Sequence, residues 1–123
     1  MFAYYGELEV QGGDFDLFAD QLVIRDGEIA FMLSGVDGDG DFRAEGVAKL
    51  TNQGNHVASQ VTLIYQQYSK TELVTIRFDV VKQTKKKLRC HIEGTWLQYM
   101  KPWLFLGNLS EYKPKQRQVV KPF

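Results

Sequence analysis

Leu22-Val23-Ile24-Arg25-Asp26-Gly27-Glu28-Ile29-Ala30-Phe31-Met32-Leu33 decides the fold. An Asp-Gly pair stands between two apolar runs. It favours a tight two-residue turn of type I′, whose twist suits the strands it joins. The stretch therefore predicts a β-hairpin.

The same grammar repeats outward in both directions. Strand signals cover residues 3–10, 42–50, 57–67, 73–83, 88–99 and 103–112. The breaks between segments are Gly12-Gly13, Asp37-Gly38-Asp39-Gly40, Thr51-Asn52-Gln53-Gly54-Asn55, Tyr68-Ser69-Lys70, Lys85-Lys86-Lys87 and Met100-Lys101-Pro102. Short breaks make sequential strands antiparallel neighbours. Residues 1–112 are thus expected to form one all-β domain, an antiparallel up-and-down meander of about eight strands, closed or nearly closed into a barrel. Residues 113–123 form a basic C-terminal tail outside that meander. Residues 14–22 admit two readings: Phe15, Phe18 and Leu22 have helical spacing with Asp14 as N-cap, and a strand fits equally.

Alternation assigns the faces. Phe42, Ala44, Gly46, Ala48 and Leu50 oppose Arg43, Glu45 and Lys49; Val74, Ile76, Phe78 and Val80 oppose Thr75, Arg77 and Asp79. Leu88, Cys90, Ile92, Gly94 and Trp96 oppose Arg89, His91, Glu93 and Thr95. One face is dry and one wet, strand after strand. Closure of such a sheet removes its edges and leaves an interior that side chains fill or share with one small ligand. The small residues Ala44, Gly46 and Ala48 mark where that interior is either hollow or filled by aromatics from facing strands.

Composition agrees with a globular domain: hydrophobic residues make up 44% and charged residues 24%, which argues against wholesale disorder. Apolar runs such as Trp103-Leu104-Phe105-Leu106 are far too short to span a bilayer. A single cysteine, Cys90, excludes an internal disulfide and predicts a reducing, cytoplasmic setting. The net charge of zero conceals an asymmetry. Residues 1–50 hold eleven acids and three bases, a net −8, while the remainder holds twelve bases and four acids, a net +8. Interleaved strands would mix the two sets. Left unmixed, they would steer an acidic partner to a basic end or favour head-to-tail self-association.

With its glycine-aromatic strand motif Gly94-Thr95-Trp96, the meander resembles the calycin-type barrels, the lipocalin, fatty-acid-binding and avidin group. Lipocalins carry their glycine-x-tryptophan motif on the first strand, whereas this one lies near the end, so no ligand-binding residue is carried over. The resemblance implies a small apolar or planar cargo.

The candidate sites follow from the faces. Phe42, Ala44, Gly46, Tyr65, Phe78, Ile92 and Trp96 are the expected lining of a ligand-binding interior. The leading expectation is a non-enzymatic barrel holding a small apolar or aromatic ligand, without cofactor or metal. The alternative is a protein-interaction module, as a homo-oligomer or against an acidic protein, acting through the basic 82–89 hairpin and the tail. Its contacts would be Lys85, Lys86, Lys87, Arg89, Lys113 and Lys115. No exposed aromatics interleave with these lysines, which argues against single-stranded nucleic acid. His91 and Glu93 share a face and would form an acid-base pair only if that face lined a cleft; alternation makes it the outer wall. Asp37-Gly38-Asp39-Gly40-Asp41 has the alternating acids of a calcium loop but lacks the glycine and the closing glutamate of an EF-hand, which leaves an acidic turn. Cys90 reads as a buried structural thiol, and His56 as a turn residue.

Overall fold

The computed structural model describes residues 2–67 and 71–112. Eight strands follow one another: β1 Phe2–Val10, β2 Asp16–Arg25, β3 Glu28–Asp37, β4 Gly40–Leu50, β5 His56–Tyr65, β6 Thr71–Gln83, β7 Arg89–Gln98 and β8 Lys101–Ser110. Each is antiparallel to the next, and β8 pairs back onto β1, so the meander closes into a barrel. The tail residues Lys113 and Lys115 lie outside the described residues.

Residues 14–22 do not form a helix. Phe15 belongs to the loop before β2, and a bulge between Ala19 and Gln21 inserts one residue into the strand. Leu17, Ala19 and Leu22 all face the core as a result. Phe18 points the other way, between Leu17 and Ala19, so the spacing of Phe15, Phe18 and Leu22 marks no single face.

The deciding hairpin is present, with Arg25 opposite Glu28. Its turn is not type I′: Gly27 takes φ +71°, but Asp26 stays outside the left-handed region. Glycine alone absorbs the unfavourable conformation, so the aspartate need not. Both central residues are left-handed instead at Tyr99 and Met100, with φ of 54° and 60°, a costly state for side chains of that size.

In an up-and-down barrel alternate loops share an end. Loops 11–15 and 38–39 and the turn 99–100 lie at one end; turn 26–27 and loops 51–55 and 84–88 lie at the other. Among the described residues the first end gathers Asp14, Asp16, Asp37, Asp39, Asp41 and Glu72, with the base Lys101. The second gathers Arg25, Lys49, Lys82, Lys85, Lys86, Lys87 and Arg89, with the acids Asp26, Glu28 and Glu111. Interleaving does not mix the charges. The imbalance between chain halves becomes an imbalance between barrel ends.

Candidate functional site

Of the seven residues expected to line the interior, Phe42, Ala44, Tyr65, Phe78, Ile92 and Trp96 are buried and Gly46 is half-buried. They meet other side chains there. Phe42 packs against Phe15, Tyr65 and Trp96, with ring centroids 6.3, 5.9 and 5.8 Å away. Phe15 also touches Trp96 and Trp103, so the acidic end is plugged by the first loop. Deeper in, Phe78 packs against both Phe31 and Phe105 at 5.9 Å.

Inner glycines seat these rings. Gly35 stands directly across from Phe42, Gly46 from Phe31, and Gly94 from both Phe78 and Phe105. A Cβ built on Gly46 would lie 3.0 Å from the Phe31 Cζ. Phe31 therefore occupies the space that a glycine between two alanines leaves open, a pairing of inner glycine with cross-strand aromatic that recurs around the barrel.

The wall is interrupted between β4 and β5. β4 and β5 pair at Phe42–Arg43 with Tyr65–Ile64 and again at Lys49–Leu50 with Val57–His56, and the ladder is interrupted between. Opposite the gap, β5 bulges at Ser59 and Gln60, where Gln60 takes φ +55°. A cleft of about 670 Å³ results, with Gly46, Ala58 and Val61 at its floor and Glu45, Val47, Lys49 and Thr62 on its rim. That size suits a small organic ligand. The sequence contained a signal for it: Ala58-Ser59-Gln60-Val61 places two polar residues between inward apolar ones, the mark of a bulge.

The basic hairpin is anchored rather than loose. The Tyr4 hydroxyl donates to the Lys87 carbonyl at 3.0 Å, and the Gln83 amide donates to the Tyr4 oxygen at 2.8 Å. Within the loop Lys87 N donates to Thr84 O and Thr84 N to Arg89 O. Lys87, with φ +63°, directs its ammonium back to Gln83. Lys82, Lys85, Lys86 and Arg89 stay exposed. Burial raises the Tyr4 pKa, which keeps its hydroxyl protonated for this bond.

At the acidic end the turn carboxylates serve local structure. Asp37 accepts from the Asp39 amide and from the Tyr65 hydroxyl, whose pKa is raised by burial and then by that bond. Asp14 accepts from the Trp103 indole at 2.7 Å. Among the described residues no cluster of three or more His, Cys, Asp or Glu is arranged to hold a metal ion.

His91 and Glu93 lie on the outer wall. The His91 ring is bonded to Glu93 through Nε2 at 2.7 Å and to Asn108 Oδ1 through Nδ1 at 2.8 Å. Both nitrogens of the ring are thus engaged by neighbouring side chains. Beside it Arg77 donates to Asp79 and Thr95, and Thr95 donates to Asp79. The wall carries a cross-strand polar ladder. Cys90 is fully buried, and burial pushes its thiol up to about 11, so it is no nucleophile at neutral pH.

His56 is the first residue of β5, not a turn residue. It stands opposite Phe78, half-buried, with Nδ1 enclosed and without a hydrogen-bond partner. The two histidines are expected to titrate on opposite sides of the ordinary value of 6.5. Hydrogen bonds to Glu93 and Asn108 raise His91, and loss of solvation lowers His56. His91 thus adds stability that is complete below pH 6.5 and lost as pH rises through its raised value. His56 detracts from stability as pH falls below 6.5. NMR titration of the two imidazoles checks this; coincident midpoints would contradict the geometry.

No family model matches the chain, and no curated protein or solved structure matches it.

Proposed function

We propose that the protein is a non-enzymatic interaction module, a solid barrel that presents its basic 82–89 hairpin to an acidic protein surface. The carrying observation is the anchoring of that hairpin. The bond from Tyr4, itself braced by Gln83, fixes the loop backbone on the barrel end, while Lys82, Lys85, Lys86 and Arg89 remain in solvent. A held cluster of cations loses less conformational freedom on docking than a mobile one. The ring contacts inside the barrel favour this reading over a central cargo, and an unpaired buried Cys90 suits a reducing compartment.

Retention on immobilised poly-L-glutamate is the test. The protein is expected to bind at low salt and elute as salt rises, and the Lys82→Ala/Lys85→Ala/Lys86→Ala variant is expected to weaken binding at least about tenfold. That variant spares Lys87, whose backbone belongs to the loop architecture. Unchanged retention would overturn the reading, as would equal retention on an immobilised single-stranded oligonucleotide.

A second reading keeps the small apolar or aromatic ligand and is favoured by the β4–β5 cleft. The calycin-like architecture supports it. The ligand would lie in the wall against Gly46, Ala58 and Val61 rather than along the axis. Native mass spectrometry of freshly purified protein is expected to show a bound small molecule that Thr62→Trp, which fills the cleft from its rim, displaces. A bare mass for the unaltered protein would remove this reading.

A further inference from the structure

The two ends of the barrel complement each other in more than charge. The acidic end carries Asp14, Asp16 and Asp39 in solvent around an apolar knob, where Met100 is 96% and Tyr99 68% exposed. This knob is the turn in which both residues adopt the left-handed conformation. A strained turn that holds Met100 almost wholly in water is unusual for a connection needing only to reverse the chain. At the basic end the exposed cations surround apolar side chains of their own: Leu50 is 53% exposed, and Phe2 and Leu88 are exposed as well.

From this pairing we infer that the acidic partner of the basic hairpin is the acidic end of a second copy of the same chain, so that barrels stack end to end. The inference rests on the interaction reading above and names its partner. In the stack Lys82, Lys85, Lys86 and Arg89 of one copy face Asp14, Asp16, Asp39 and Asp41 of the next. The Tyr99-Met100 turn enters the apolar ground between Leu50, Leu88 and Phe2. Closure of the barrel supports the geometry: among the described residues every strand has a neighbour on both sides, unpaired edge is confined to short stretches such as the β4–β5 gap, and the ends are left to meet. Because the surfaces differ, the contact is heterologous. It leaves one end open after each addition and grows a short filament unless rotation closes it into a ring.

The discriminating experiment uses two neutralised variants of the full chain. Lys82→Ala/Lys85→Ala/Lys86→Ala keeps the acidic end, and Asp16→Asn/Asp39→Asn/Asp41→Asn keeps the basic end. Sedimentation velocity at about 20 mM salt is expected to show the unaltered protein growing past a dimer with concentration and reverting to the 14.1 kDa monomer at about 500 mM, where screening is nearly complete. Each variant alone stays monomeric. Mixed in equal amounts they form a dimer and stop, because each supplies the end that the other lacks. Circular dichroism and denaturation midpoints matching the unaltered protein confirm both folds. A Met100→Gln variant weakens stacking at least about tenfold without touching either charge set.

Self-stacking is overturned by a monomer at low salt, by association of either variant alone, or by a mixture that fails to dimerise. If poly-L-glutamate retention survives while stacking fails, the basic-end reading stands with a foreign acidic partner. Loss of both removes the two together.

Discussion

Replacing Gly35 by alanine is expected to cost about 3 kcal/mol or more, a large part of the roughly 5–15 kcal/mol that holds such a domain together. A Cβ built there would overlap the carbonyl oxygen of Asp16 and the ring of Phe42. Neither can retreat. Asp16 is fixed in the β2–β3 ladder opposite Val36, and the Phe42 ring is wedged among Phe15, Tyr65 and Trp96. Overpacking against a flexible side chain is relieved by a rotamer change; overpacking against a neighbouring strand's backbone separates the strands. Gly38→Ala is the control. Three residues away, its Cβ would meet nothing within 4 Å, and its backbone lies outside the left-handed region. Urea denaturation is expected to leave Gly38→Ala within about 0.5 kcal/mol of the unaltered protein, with Gly35→Ala unfolding at far lower urea. Equal midpoints would show that the seating of Phe42 over Gly35 does not set this part of the core.

Trp96→Ala is expected to cost about 3–5 kcal/mol. The side chain is 1% exposed and contacts both Phe15 and Phe42, so its removal leaves a cavity beneath the plug at the acidic end. It also strips the donor from Gln98, whose buried Oε1 accepts from the Trp96 indole at 3.0 Å. A buried amide losing its partner adds its own penalty. Indole restores both the volume and the donor. Thermal melts are expected to show indole raising the melting temperature of Trp96→Ala and leaving the unaltered protein unmoved. A comparable rise in the unaltered protein would mean that its interior already accepts an aromatic guest, and the carrier reading would gain.

Much of this fold is legible in the chain. Alternation put Ile76, Phe78, Ile92 and Trp96 inside and Arg77, Asp79, His91 and Glu93 outside, because a half-buried strand repeats every two residues whatever its partners are. The Asp-Gly pair located a hairpin but not its turn type, since Gly27 carries the left-handed residue alone. Bulges were harder. An inserted residue at Asp20 shifts the inward set by one, so simple alternation fails across residues 17–22. The β4–β5 cleft is marked in the sequence only by the polar pair Ser59-Gln60 between Ala58 and Val61; the loss of pairing with β4 across it leaves no such mark in β4. The contents of the barrel hinged on Gly46, and only the register that places Phe31 opposite could say what fills the space above it. The polarity of the two ends lay between these cases: the acidic turns at 11–15 and 38–39 are the first and third connections and the basic one the sixth, so meander topology sorts them by parity.

Barrel closure carries a kinetic consequence. Seven of the eight seams join strands consecutive in the chain, but the eighth brings Tyr5 beside Ser110. Contacts so remote in sequence impose most of the loop-closure entropy before they return any stabilisation, which slows folding toward the millisecond-to-second range of all-β proteins. The β1–β8 seam is therefore the last to zip. Until it does, both strands are bare edges with unpaired amides and carbonyls, open to any other incomplete chain. For this molecule the moment of greatest aggregation hazard is the interval between collapse and the meeting of the first strand with the last.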